Sequence, residues 1–437
     1  MKNKIKAIKD PINQFIRLET SSSIILFSAT ILALILANTP LSDEFLGFWK
    51  KYVTFSLPAF ELSKPIYKWI NDGLMAIFFF VIGLEIKREI LTGELSHIKK
   101  ASLPLFAAIG GMIVPALLFT GLNTGNAGGE GWGIPMAADI AFSLGILTLL
   151  GSRVPTGVKV FLMAFAIIDD LGAVLVIAFF YSSDLIWSNI FIGLGIVAAL
   201  IILTRLNYYS KYIFFIGGII VWVLFLKSGI HATIAGVLMA MTIPLRRKTD
   251  TRSFYNKSVG LLNDFLDECN SNEKKTVLSK KQLHTIDDLQ ELTETTTSPL
   301  QHLEHMLHGW VSYLIMPVFA LANAGVAFSL SGETNLSLSL NLAISMVVGN
   351  FIGIFSFSWL AIKLNIAELP QNVNFKQLAG VSFLGGLGFT MSLFINSLAY
   401  TDEALIDSAK MGILFGSLIA GTLGYIFIRL TTKNTQE

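Results

Sequence analysis

Two adjacent carboxylates, Asp169 and Asp170, lie within residues 160–180, where every other residue is apolar or glycine. A bilayer-spanning helix needs roughly 20 such residues, and a charge at its centre costs at least about 2.5 kcal/mol on insertion scales. Acids kept at that depth ordinarily face a water-filled path and bind protons or cations; the plainer alternative is a structural, hydrogen-bonded acid. A third embedded acid, Asp139, sits in GWGIPMAADIAFSLG. Pro135 removes a helix donor and Gly133 weakens the same turn, so this segment is expected to leave regular helix close to Asp139, although a proline near a span's end also serves packing. Late in the chain, GVSFLGGLGFTMSLF crowds Gly385, Gly386 and Gly388 beside Thr390 and Ser392. Interrupted spans in opposite halves predict a midplane site, where open helix ends offer carbonyls to cations and N–H groups to anions.

The elements that position these residues follow from composition. With 53% hydrophobic and 14% charged residues and a mean hydropathy of +0.64, a chain of 437 residues is a polytopic membrane protein rather than a soluble globule. Apolar runs predict about twelve transmembrane helices. They fall near 22–38, 72–86, 102–121, 132–151, 156–181, 185–204, 212–226, 228–245, 309–328, 337–362, 377–399 and 408–430. With both termini cytoplasmic, only Lys50, Lys51, Lys64, Lys68, Lys227 and Lys410 fall outside, and all other basic residues stay inside. An odd number of spans breaks that asymmetry. The net charge of +2 therefore reports topology and gives no reason to expect a nucleic-acid partner.

The expected organisation is a cytoplasmic interfacial segment over 1–21, eight spans over 22–245, a polar cytoplasmic loop over 246–304, four spans over 305–430 and a tail over 431–437. Lys4, Lys6, Lys9 and Arg17 interleave with Ile5, Ile8, Ile12 and Phe15, as in an amphipathic helix on the membrane surface. A cleavable signal fits poorly, because about twenty polar or amphipathic residues precede an apolar run long enough to span. The loop is expected to be mobile, with one short helix around 281–292 and no domain of its own. It holds the single cysteine, Cys269, so no disulfide forms within one chain. His302, His305 and His308 have helical spacing that a metal could use, but no Cys or paired ligand segment accompanies them and HExxH is absent.

Six ordered strings, INDGLMAIFFFVIGLEIKRE, IPMAADIAFSLG, FAIIDDLGAVLVIA, LKSGIHATIAGV, LEHMLHGWVSYLIMPVFALANAG and GLGFTMSLFI, resemble the NhaA-type sodium/proton antiporters across essentially the whole chain outside the loop. The resemblance implies an all-α fold with inverted repeats and two broken helices crossing near the midplane, an arrangement for which this family is itself a standard example. It implies that Asp169 and Asp170 bind the transported Na⁺ or Li⁺ and H⁺, with Asp139 on the broken fourth span and Gly386 to Gly388 at the crossing on the eleventh. Glu85, His231, Glu304, His305 and His308 match positions associated in the family with pH response. For each, an ordinary structural role remains open: Glu85 sits where charges are common at a membrane edge, and His231 could satisfy a backbone group. The resemblance also implies a bacterial inner-membrane transporter, not an enzyme, with no cofactor, lipid around it, and a homodimer formed through an outer hairpin, here expected over 59–67 with Pro58 and Pro65 shaping its turns.

Two departures stand out. The family's tenth span usually carries a lysine able to pair with the site acids; this chain reads VVGNFIGIF, with Asn350 at that position and no Lys or Arg from 343 to 361. Asn350 cannot carry a proton, so exchange could become electroneutral or shift its pH range. Ala138 stands where a hydroxyl residue commonly precedes Asp139. Ser143, four residues on, could replace that ligand, with packing as its simpler role. The expected mechanism is competition: a proton and a hard cation need the same oxygens, so the cation binds only when the paired acids are deprotonated, and alternating access keeps the ions from leaking together. Other readings are a regulator or channel on the same scaffold and a sodium-coupled symporter. An intramembrane aspartyl protease should show YD and GxGD strings, which neither MAADI nor AIIDD supplies.

Overall fold

The computed structural model describes residues 11–57, 60–182, 185–247, 249–267, 277–327, 335–370 and 373–432. Apart from one hairpin the ordered elements among them are helices. Seven are long and apolar enough to cross a membrane, or up to nine if each of two bent pairs is one span. Every expected span coincides with helix, but the seventh and eighth are short, Lys211–Leu226 and Thr233–Thr242. The first helix runs unbroken over Pro11–Ala37. After a 114° bend it is followed by Ser42–Lys50, whose Asp43, Glu44 and Lys50 suit a surface helix rather than a span. Residues 1–10, including Lys4, Lys6 and Lys9, lie outside the described residues, as does Cys269.

The second, ninth and tenth spans each contain a π segment, at Ile70–Leu74, Val311–Ile315 and Ser345–Gly349. Such wider turns recur at functional sites because they re-aim side chains without ending the helix. Asn71, in the first of them, exchanges amide hydrogen bonds with Asn323 of the ninth span at 3.1 and 2.9 Å. The ninth span's helix begins at Pro299, earlier than its apolar run. It is capped by Ser298, whose side chain accepts from Gln301 N–H.

Without water to drive helix association, close packing of small residues holds membrane helices together. The third and tenth spans touch at Gly110 and Gly353, where a Cβ on either meets the other's backbone carbonyl. The second and eighth touch where Gly236 lies against the Ala76 carbonyl. Lys87 then caps the eighth span's end, donating to the carbonyls of Met241 (2.7 Å) and Ile243 (2.5 Å). Large apolar side chains such as Phe179 and Phe215 stay 76% and 70% exposed, as lipid-facing residues should.

Two expectations are corrected. The outer hairpin is longer than 59–67: strands Tyr52–Leu57 and Phe60–Pro65 pair antiparallel, with Val53 opposite Lys64. Pro65 ends the second strand instead of shaping the turn, and Pro58 and Ala59 lie outside the described residues. The polar loop holds more than the one short helix expected around 281–292, which is present. It folds into two, Thr251–Asp267 and Lys280–Thr296, the second opened by a capping box between Ser279 and Gln282.

Candidate ion-binding site

The fourth span is tight 3₁₀ helix over Gly129–Met136, extended at Ala137, and α-helical only from Ile140. The eleventh divides into Phe375–Leu384 and Phe389–Ala399, bent by 44°. Both interruptions fall where proline and glycine predicted them. Broken helices leave backbone groups that must find partners, and these two supply each other. Asp139 N–H donates to the Leu387 carbonyl (2.6 Å). Thr390 N–H donates to Asp139 Oδ2 (3.0 Å), and the Thr390 hydroxyl donates to the same oxygen. Asp139 Oδ1 caps its own helix by accepting from Phe142 N–H (3.2 Å). Ser392 donates to the Ile134 carbonyl (2.8 Å) and Ser143 to the Leu384 carbonyl (3.0 Å). Ser143 is thus engaged in closing the opposite helix end, the packing role. Backbones approach closely enough that a Cβ on Gly388 overlaps the Ala137 carbonyl, and one on Gly386 the Met346 carbonyl; only glycine fits either place.

The fifth span, Thr156–Phe180, brings the paired acids to this crossing, Asp169 2% and Asp170 4% exposed. Their aims differ, as neighbouring residues on a helix must. Asp169 Oδ2 accepts from Ala138 N–H (2.8 Å), while Oδ1 has no hydrogen-bond partner. At position 138 it is therefore the backbone, not a side-chain hydroxyl, that meets the acid. Asp170 lines a cavity of about 50 Å³ with Asp139, Ala138, Thr390, Glu85 and Ser22. That is several times the roughly 10–15 Å³ one water requires, enough for a partly hydrated monovalent cation.

Asn350 follows the tenth span's π segment and is 1% exposed. Its amide donates to the Pro135 carbonyl (2.8 Å) and the Met346 carbonyl (3.0 Å), and its Oδ1 is unpartnered. It ties the tenth span to the broken fourth and bonds to none of the three acids. No Lys or Arg lines the cavity among the described residues.

The residues matched to pH response divide between the two ends of the second span. Glu85 and His308 line the same cavity as Asp170. Nearby, Arg88 Nε meets both oxygens of Glu304 at 3.0 Å and Arg88 Nη1 meets Glu89 at 2.5 Å. His305 is exposed. His231 is elsewhere: its Nε2 is 3.6 Å from Asp72 Oδ1 and its Nδ1 2.7 Å from Thr233 Oγ1, while Lys64 of the hairpin meets Asp72 at 2.5 Å. Asp72 and Arg88 are sixteen residues apart on one helical span, roughly 24 Å at 1.5 Å per residue. Sequence reasoning missed Thr390 as the partner of Asp139 and Arg88 as the partner of Glu304. Thr390 sits in the glycine-rich string already singled out, and Arg88 three residues after Glu85, the signals available for each.

Interrupted spans bonded across each other, with three buried acids at the crossing, define a multi-pass helical membrane transport protein. The model of the family described as Na⁺/H⁺ antiporter 1 matches residues 13–428, and the chain belongs to that family. It is 46% identical to the Na(+)/H(+) antiporter NhaA of Oleidesulfovibrio alaskensis over 98% of this chain and 95% of that protein. It is 45% identical to the NhaA of Sulfurimonas denitrificans, over 98% and 97%, and 40% identical to that of Bacteroides fragilis, over 97% and 98%.

Proposed function

We propose that this chain is a secondary antiporter that moves Na⁺ or Li⁺ out of the cell in exchange for inward H⁺, with Asp169 and Asp170 as the ion-binding pair. The observation that carries this reading is the crossing: Asp170 and Asp139 face one small, mostly apolar cavity, and Asp169 turns an unpartnered oxygen into the protein at the same level. Asp139, held by three donors, keeps its carboxyl fixed beside the cavity. Asp170 is buried yet lines the cavity that a transported ion would occupy. A cation there replaces water with carboxylate oxygens, and protonation of those oxygens releases it. Glu85 and His308 line this cavity and the Arg88–Glu304 pair lies close to Glu85 along the second span, an arrangement that suits control of entry by pH. His231, at the far end, suits the outer side.

The arrangement of basic residues supports a bacterial inner-membrane protein with both termini cytoplasmic, and the exposed hairpin suits pairing of two copies. The test is exchange in proteoliposomes, following internal pH after adding Na⁺, Li⁺ or K⁺. Adding the cation outside wild-type proteoliposomes should alkalinise their interior, since its entry drives H⁺ out, and folded Asp170→Asn should not; exchange surviving that substitution defeats the reading. Repeating the assay under an imposed voltage measures the charge moved per cycle. A rate indifferent to voltage assigns electroneutral exchange to a site whose Asn350 bonds only carbonyls, and acceleration by voltage puts the additional proton on the acids.

A further inference from the structure

The two helices between the eighth and ninth spans pack side by side. Thr249 N–H donates to the Thr295 carbonyl (3.2 Å), joining the entrance of the first to the exit of the second, so the pair is antiparallel. On the first helix Phe254, Leu261 and Phe265 are partly buried. Tyr255, Val259, Leu262 and Leu266 are instead 66%, 39%, 51% and 61% exposed, and their spacing of i, i+4, i+7 and i+11 makes one continuous stripe. On the second helix Leu283 and Ile286, 49% and 39% exposed, begin a stripe that continues through Gln290 to Glu294.

Each stripe is turned by about 100° from its helix's packing face, in the same rotational sense. In an antiparallel pair that brings both stripes out on one side. The opposite side holds an open groove of about 550 Å³ lined by Lys257, Asp264, Asp288 and Glu291. The pair therefore has an apolar face and an acid-rich face.

The direction of the apolar face is fixed by its end. Glu294 accepts from Lys211 Nζ at 2.9 Å, and Lys211 is the first residue of the seventh span's helix. Beside it Tyr212 is 81% and Phe215 70% exposed, aromatic residues suited to a membrane edge. Arg246 and Arg247 at the root of the pair, and Arg252 beside the apolar stripe, are exposed; Asp264, Asp288 and Glu291 line the far groove, while Asp287 and Glu294 border the second helix's stripe at its polar edge.

We propose that this helical pair lies on the bilayer surface, its apolar face sunk into the headgroup–acyl boundary and its arginines on anionic headgroups, with the acidic groove turned to water. The leaflet is the one on the pair's own side, cytoplasmic in the orientation proposed above. The surface is independent of which ions the spans exchange.

The test uses the full chain with Cys269→Ser, reconstituted in phosphatidylcholine vesicles with and without phosphatidylglycerol, carrying one nitroxide at Leu262→Cys or at Asp264→Cys. Oxygen should relax the label at 262 several-fold more effectively, relative to a water-soluble nickel chelate, than the label at 264, and phosphatidylglycerol should widen that contrast. Equal nickel access at both positions overturns the proposal and leaves the face open to a soluble partner. Short distances between two labels at 262, without preferential oxygen access, overturn it in favour of a second copy of the chain. A contrast indifferent to phosphatidylglycerol overturns the headgroup contact.

Discussion

Removing the Thr390 hydroxyl tests how Asp139 is kept available to a cation. Asp139 accepts three hydrogen bonds, from Thr390 N–H, the Thr390 hydroxyl and Phe142 N–H. Thr390→Val keeps the side-chain shape and both backbone donors and deletes one bond to a charged acceptor, worth about 1.5–3 kcal/mol. Hydrogen bonds to the charged form of an acid favour that form, so their loss lets protons compete better with the cation. At 1.36 kcal/mol per pH unit, the pH of half-maximal Na⁺-driven exchange should rise by roughly 1–2 units. Thr390→Ser restores the donor and should stay near wild type. The assay is the pH profile of exchange in proteoliposomes, with melting in detergent confirming that both variants are folded. A folded valine variant whose profile superimposes on wild type refutes the reasoning, because a donor that only stabilised the fold would leave the profile in place.

Gly388→Ala places a Cβ on the Ala137 carbonyl; overpacking of this kind costs about 1–3 kcal/mol, and reduced thermal stability in detergent together with impaired exchange is expected. Asn350→Ala leaves the buried Pro135 carbonyl without its side-chain donor, an unsatisfied group worth about 1–3 kcal/mol, so the variant should melt earlier even if exchange persists. The Lys211–Glu294 pair anchors the helical pair to the seventh span, and the hydrogen bond and charge of Lys211 hold the Glu294 carboxyl below its ordinary 4.5. A lowered carboxylate value means the attachment is complete above the ordinary value and lost as pH falls through the lower one. Labels near Glu294 should therefore report no change between pH 6 and 8 but a clear response to added salt, which screens exposed ion pairs.

The spans and both interruptions were legible because their signals are local: a proline and glycine before Asp139, three glycines before Thr390, and apolar runs of membrane length. The paired aspartates were legible for the same reason, a charge having no ordinary place among so many apolar residues. What closes the site was not. The bond between Thr390 and Asp139 joins residues 251 apart in sequence, and nothing in either string names the other. The same holds for Ser143, whose hydroxyl serves the Leu384 carbonyl. In the polar loop the helix expected around 281–292 is present as Lys280–Thr296, but Thr251–Asp267 was not legible, for a different reason. Its composition resembles disorder, yet Tyr255, Val259, Leu262 and Leu266 carry a helical period, just as Ser279 with Gln282 marks the start of the second helix. The hairpin begins before its proline signals: the first strand, with Tyr52, Val53 and Phe55, precedes Pro58 and carries only the β-branched and aromatic composition that short apolar runs elsewhere in the chain also carry.

The mutual satisfaction of the two broken spans also sets an order of events during synthesis. At about 5–20 residues per second, the 251 residues separating Asp139 from Thr390 take roughly 10–50 s to be made. Throughout that interval the fourth span is already present while the backbone and hydroxyl partners it takes from the eleventh do not exist. Its open helix end must be covered by water, by the insertion machinery or by neighbouring spans, and a chain stopped before residue 375 has no means of completing the crossing. Assembly of the ion pathway is thus deferred to the last stretch of translation, so a ribosome that stalls there releases a bundle that is inserted but not yet a transporter.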